Sequence, residues 1–400
     1  MNKRADPRKR LGWLPVFCAA ALLLAQLPGC GGSGGVDSGG TGIDTPTLAI
    51  GPISGLGSIV VNGVHYDETA ATVLDADGQP LSPSALTLGS VTRIDASPPV
   101  SNGTRLEAVA QTIQVTEALV GPVESVNAAA GTARILGQTV ATTAGTVFEA
   151  SLGNGLASLQ AGAVVAVHGQ VDRVGARIVA TRIEPRSGVS RYIVTGSVLS
   201  LDRTALRLGV GLLTIALSEV GSLPATLDTG TVVRLKLRTM AAVGVWTATA
   251  LKLTDQPLPD RDNIEIEGRI TAFTSTQRFS VDGIPVDATA ASFGTGSLAL
   301  GKRVEVDGRS VSGTIIAREV SVDDEDGGSA SSIELEGRIT SVNAAAGTFV
   351  LRGTTVSYDG STRFEGGAAT DLVVNRKVSV KGRPAADRSL VQATSIHVEL

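Results

Sequence analysis

Few side chains in this sequence could take part in bond-making or metal-holding chemistry. There are 3 His and 2 Cys among 400 residues. His65, His168 and His397 lie far apart, and zinc needs clustered His/Cys ligands, so no shared metal site and no cofactor is expected. Gly31-Gly32-Ser33-Gly34-Gly35 spells G-x-S-x-G. A nucleophile in that motif must sit on a strand-to-helix elbow, and a glycine-rich stretch near the N-terminus offers none. Gly153-Asn154-Gly155 and Gly294-Thr295-Gly296 are glycine loops with no helix behind them to present N–H groups to phosphate. Asp323-Asp324-Glu325-Asp326 is acidic but lacks the spaced ligands of a calcium loop, and reads as a solvated linker. Asp67, Asp287 and Asp359 are the remaining candidates for acid–base work, which needs two carboxyls a few ångströms apart. Aspartate at such points is also a common turn residue. Trp246, on an apolar run, reads as packing rather than as a binding aromatic.

These residues are carried by a repeat. Short apolar runs of period two, such as Val378-Ser379-Val380 and Ile396-His397-Val398, bury one face and wet the other. Turn residues separate them: Asn343, Gly347, Gly353, Asp359-Gly360 and Gly366-Gly367. Five such strands fill Ile333–Leu400. A glycine after the opening strand recurs as Gly55, Gly121, Gly196, Gly268 and Gly337, roughly every 70 residues, which sets the domain count at five. Val123–Gly131 returns almost unchanged as Ile339–Gly347. Before the fourth strand stand Gly89, Gly162, Gly230, Gly301 and Asn375. Four glycines and an asparagine at one position predict positive φ there. Phe148, Phe293 and Phe364 recur in three copies and are expected to plug the cores.

The pattern G-x-I-x-x-V-N-x-x-x-G, then x-T-x-F, G-x-x-V-x-V-x-G and A-x-x-I-x-V resembles the DUF5666 family, a family of unknown function found in bacterial envelope lipoproteins. The resemblance covers most of residues 51–400 and is best in the second, fourth and fifth copies. The third copy departs at Leu237, where others have Gly308 or Gly382, and the first at Thr92. It implies a β-barrel module and supplies no catalytic residues.

The repeat also places the histidines. His168 aligns with Asp95, Lys236, Asp307 and Lys381; His397 with Gln114, Glu184, Lys252 and Ser321; His65 with Thr139, Pro285 and Thr355. Each stands where other copies put unrelated polar or turn residues, so all three read as surface decoration.

Met1–Arg10 is basic, Leu11–Leu24 is apolar, and Leu27-Pro28-Gly29-Cys30 follows. This order makes a secretory signal, and its end resembles a lipobox in which Cys30 is lipidated. Cys18 would be removed with the signal, so no disulfide can form. Two or three acyl chains hold a protein firmly at a bilayer. Gly31–Gly42 is a flexible tether. Losing residues 1–29 removes five bases and Asp6, taking the net charge from −4 to −8. An acidic chain with 3% aromatic residues is a poor nucleic-acid binder. Hydrophobic content of 42% with 18% charged residues is that of a globular chain.

The sequence therefore predicts an all-β protein: five tandem small antiparallel β-barrel (OB-like) modules after a signal peptide and tether. The divisions are 1–29 (signal), 30–50 (lipidated Cys30 and tether), 51–118, 119–191, 192–256, 264–325 and 333–400. Modules of this size have small cores, so neighbours are expected to share stability across the linkers Arg186–Ser190, Asp255–Asn263 and Asp323–Ser332. The expected function is a non-enzymatic envelope lipoprotein, a binding or scaffolding rod held to the membrane by its lipid, with an envelope protein or glycan as partner and no nucleic acid. Gly31 after the cysteine favours the outer membrane. The alternative is a saccharide-binding or hydrolytic accessory protein acting on an envelope polymer through Asp67, Asp287 or Asp359.

Overall fold

The computed structural model describes residues 47–254, 258–323, 332–385 and 390–399. Cys30, the tether up to residue 46 and residues 324–326 of the acidic cluster lie outside them. Residues 47–50, expected in the tether, are instead the start of the strand Thr47–Pro52, and residues 261–263, expected in a linker, open the strand Arg261–Ser275.

The described chain is all-β and forms small closed barrels. Module two shows the plan. Its strands are Leu119–Asn127, Thr132–Ile135, Gln138–Phe148, Val164–Asp172 and Arg177–Pro185. The first pairs with the second, the second with the third, the fifth with the fourth and the fourth with the first, all antiparallel. The third and fifth run parallel and close the ring. The same parallel closure recurs between Val64–Asp67 and Leu106–Thr116, Leu213–Ala216 and Val245–Leu253, Ile284–Asp287 and Thr314–Asp323, and Thr354–Ser357 and Val391–Val398. Spatial order is thus one-two-three-five-four. Closure leaves no free edge inside a barrel.

The repeated glycines have separate jobs. Before the fourth strand, Gly89, Gly162, Gly230, Gly301 and Asn375 have φ of 79°, 85°, 86°, 84° and 69°, as the substitution pattern predicts. In the fourth strand Gly169, Gly308 and Gly382 each follow a register shift. The bulge presses a facing carbonyl against the backbone: a Cβ would lie 2.2 Å from Val179 O at Gly169, 2.4 Å from Ile316 O at Gly308 and 2.5 Å from Gln392 O at Gly382. Glycine is the residue that fits such a close approach.

The aromatic plug is corrected in one copy. Phe148 is buried and Phe364 packs against a core, but Phe293 is 47% exposed. Module two has small Ala133 at the second position of its second strand, where modules four and five have the buried Phe279 and Phe349. Where that strand already supplies a ring, the later phenylalanine is displaced from the core centre. Trp246 is half-buried against the core of modules two and three, 5.8 Å from the Tyr192 ring.

Module packing is not confined to neighbours in sequence, so the expected rod is not what forms. The first strand of module one, Thr47–Pro52, pairs in parallel with Arg261–Ser275 of module four. Gly55–Leu56 pairs in parallel with Ile333–Asn343 of module five. Modules two and three join through Ile193↔Val120 and Val194↔Leu119. Asp77 of module one reaches Lys236 of module three at 2.7 Å, and Thr181 of module two donates to Gly89 O at 2.6 Å. Apolar cores merge accordingly: one is shared by modules one and five, another by two and three, and module four's includes Leu48 of module one. The physical reason is that small barrels bury too little apolar surface alone, and the split opening strand of module one offers two edges to later modules.

Candidate functional site

The three aspartates are used by the backbone. Asp67 accepts from Thr69 N at 3.0 Å, Asp287 from Thr289 N at 3.1 Å and Oγ1 at 2.6 Å, and Asp359 from Ser361 N at 2.8 Å and Oγ at 2.6 Å. These are Asx turns leaving the third strand of modules one, four and five. The side-chain hydroxyl bond comes first among the causes that hold each carboxyl below its usual range. The structure brings none of the three together, and a depressed carboxyl is a poor general acid at neutral pH. Among the described residues, no set of three or more His, Cys, Asp or Glu is placed to hold a metal ion.

The histidines divide. His397 is exposed, as the repeat suggests. His168 is 2% exposed and is not surface decoration. Its Nδ1 faces Thr116 O at 2.9 Å and its Nε2 lies 3.9 Å from Glu184. The outward face of its strand is covered by the link from module one, which a single repeat cannot reveal. His65 is likewise withdrawn from the surface, its side chain 13% exposed.

Around His65 the packing of module five on module one assembles a constellation. Ser58 and His65 lie on either side of the second strand of module one, Ile59–Val61. Its two-residue turn, Asn62-Gly63, has φ of 51° and 78° at the two residues, the tight form that returns the chain directly. Ser58 Oγ is 3.1 Å from His65 Nδ1, and His65 Nε2 is 3.5 Å from Glu334 Oε2. Glu334 comes from the opening strand of module five, brought in by Gly55↔Glu334 pairing. Its Oε1 takes Lys381 Nζ at 2.8 Å. The hydrogen bond from His65, aided by Lys381 and against the opposing push of burial, holds the Glu334 carboxyl at about 2. These groups line a groove of ≈ 370 Å³ together with Arg105 and Glu336. No motif in the sequence marks Ser58, and nothing there joins it to Glu334. The one available signal is the early break in the module-one opening strand at Ser54.

A second cleft, also ≈ 370 Å³, opens where modules one, two and five meet. Leu86, Leu88, Phe148, Ile333 and Val391 make it largely apolar. Glu149, Arg182 and Arg352 supply its charges. Arg182 is anchored there by Glu184 at 2.7 Å and Leu88 O at 3.2 Å.

Comparison with known proteins adds the family. Residues 120–184, 267–321 and 336–397 match the domain of unknown function DUF5666. Modules two, four and five are DUF5666 domains. The segments fall on the three copies whose motifs are fullest, and leave out the module with Thr92 and the module with Leu237. No curated protein matches the chain. Among solved structures, a chain titled Drosophila Unr CSD456 aligns at 14% identity over 52% of this chain and 97% of its own, with a TM-score of 0.14; a likeness at that score carries no argument. Of the groove residues, Glu336 and Lys381 lie within the matched segment 336–397, whereas Ser58, His65 and Glu334 lie outside the matched segments.

Proposed function

We propose that the protein is a bacterial envelope lipoprotein, lipidated at Cys30, that binds a small, largely apolar ligand in the cleft at the meeting point of modules one, two and five. The observation that carries the reading is the cleft itself. It lies at an interface between barrels, as small-molecule sites commonly do, with apolar walls and a few fixed charges. The basic, apolar and small-residue order before Cys30 supports export and anchoring, and the glycine-rich tether gives the barrels reach from the outer membrane.

The test is a capture experiment with the full chain held through a C-terminal tag. Solubilised envelope extract is passed over it, and over an Ala150→Trp variant. Ala150 is exposed at the cleft edge, so an indole there fills the cleft without entering a core. The expected result is a lipid or glycolipid retained by the wild type and lost from the variant. Equal retention by both would sink the reading, and so would retention of nothing. In a parallel labelling experiment, radiolabelled palmitate should enter the wild-type chain and fail to enter Cys30→Ser.

A further inference from the structure

We infer that Ser58, His65 and Glu334 form a nucleophile, base and orienting acid that cleave carboxylic esters in the groove between modules one and five. This goes beyond the binding reading and uses a different opening in the molecule.

Three observations support it. The first is geometry: a hydroxyl within hydrogen-bond reach of an imidazole whose other nitrogen faces a carboxylate is the arrangement that activates a serine. A carboxylate only accepts, so the Nε2 facing it carries the ring proton. Nδ1 is then left as an acceptor for the Ser58 hydroxyl. The second is support. Lys381 holds one Glu334 oxygen at 2.8 Å and leaves the other to His65. Glu107, which lies beside His65 on the adjoining strand, is taken up by Arg105 at 2.6 Å and Asn102 at 2.9 Å, so it does not compete for the ring. The third is room. The groove is open along Ser58, and Arg105 lines it. Two of Arg105's five N–H donors are engaged, Nε by Glu107 and one terminal nitrogen by Glu336 at 3.4 Å. The remaining donors can meet an oxyanion.

The step balances as acyl transfer. Ser58 Oγ attacks the ester carbonyl as its proton passes to His65 Nδ1. The carbonyl π pair moves to oxygen, and Glu334 stabilises the imidazolium through Nε2–H. The tetrahedral adduct collapses, the C–O bond to the alcohol breaks, and His65 returns the proton to that alcohol. Water then repeats the cycle on the acyl-serine and releases the acid. No oxidant, metal or cofactor enters the balance. Glu334 is a positioning residue, since it touches His65 and not the reacting carbon.

The experiment is labelling of the full chain with an alkyl fluorophosphonate, located by peptide mass spectrometry, alongside p-nitrophenyl acetate hydrolysis. Expected are one adduct on Ser58, accompanied by fluoride release, and turnover that falls at least a hundredfold in Ser58→Ala and His65→Gln. Both variants are to be checked for an unchanged circular dichroism spectrum. Glu334→Gln should lower kcat with little change in KM and move the acid limb of the pH–rate profile. Absence of a Ser58 adduct under conditions that label a known serine esterase overturns the inference. Hydrolysis by Ser58→Ala at the wild-type rate does so too. If Glu334→Gln lowers the melting temperature while labelling rate and pH profile stay unchanged, Glu334 is only a strut between modules and the triad is wrong. Cleft occupancy is read separately by the capture experiment, so failure of one does not decide the other.

Discussion

Two histidine–glutamate pairs occur among the described residues, and they are built for different ends. In module two, His168 and Glu184 sit under the link from module one, with His168 2% exposed. Every polar direction there is filled. Thr116 O takes His168 Nδ1. Arg182 meets one Glu184 oxygen at 2.7 Å, and Arg186 meets the other at 2.5 Å. Burial pushes the Glu184 carboxyl up, yet His168 and the two arginines together outweigh it and hold it at about 2. In the seam of modules one and five, His65 and Glu334 have a serine as the third member and an open groove beside them. The residue pair is the same. What surrounds it decides whether it is a strut or a device for moving a proton.

The largest effect should come from breaking the strut. Glu184→Ala leaves Arg182 buried opposite no carboxylate, and an uncompensated buried charge costs about 3–5 kcal/mol. Chemical denaturation of the full chain should show a lower midpoint for the unit that holds modules two and three, whose cores are joined. A loss under about 1 kcal/mol would mean that the arginines find water, and the contrast between the two pairs would weaken.

Next in size is the bulge that both pairs share. Gly169 follows His168, and Gly382 follows Lys381, which holds Glu334. At each position a methyl group would press on a carbonyl, at 2.2 and 2.5 Å. Because backbone must then move, Gly169→Ala is expected to cost about 2 kcal/mol. Its thermal unfolding midpoint should fall. Leu237, which replaces glycine in module three and is fully buried, shows that a bulge can be repacked when the facing strand changes with it. A Gly169→Ala variant as stable as the wild type would show that module two has the same latitude.

The repeat made the barrels legible. Period-two strands, the glycine set at positive φ, and the asparagine that substitutes for glycine at Asn375 all concern contacts within about 70 residues, and each module states them again. The closing parallel pair was not written in any motif, because period two is the same for a parallel and an antiparallel strand. Phe293 stands outside the core of a module that already has the buried ring of Phe279, while Phe364 still packs against a core that holds Phe349, a difference the repeat does not record. The histidines misled for a different cause. Aligning copies treats every module surface as solvent, but His65 and His168 lie on surfaces that other modules cover. Seams join Gly55 to Glu334 and Thr47 to Asn263 once each, so no repetition announces them. Ser58 and His65 already face each other within module one, and Glu334 joins them only through such a seam.

The smallest expected effect is in the groove pair, and acid separates it from the strut. Glu184 and Glu334 are both held at about 2, against about 4.3 for a free glutamate. Between those values the unfolded chain binds the extra proton and the folded chain does not. Stability therefore rises with pH across that window and is lost as pH falls through it. Glu334, with its side chain 31% exposed, is screened by solvent, so Glu334→Gln should change stability at pH 7 by less than about 1 kcal/mol. It should flatten the acid slope only slightly. Glu184→Gln should remove a much larger part of that slope. Urea midpoints measured from pH 5 down to the acid transition distinguish them. If the two substitutions flatten the curve equally, Glu334 holds the modules together as firmly as Glu184 does, and the groove loses the spare carboxylate that its chemistry requires.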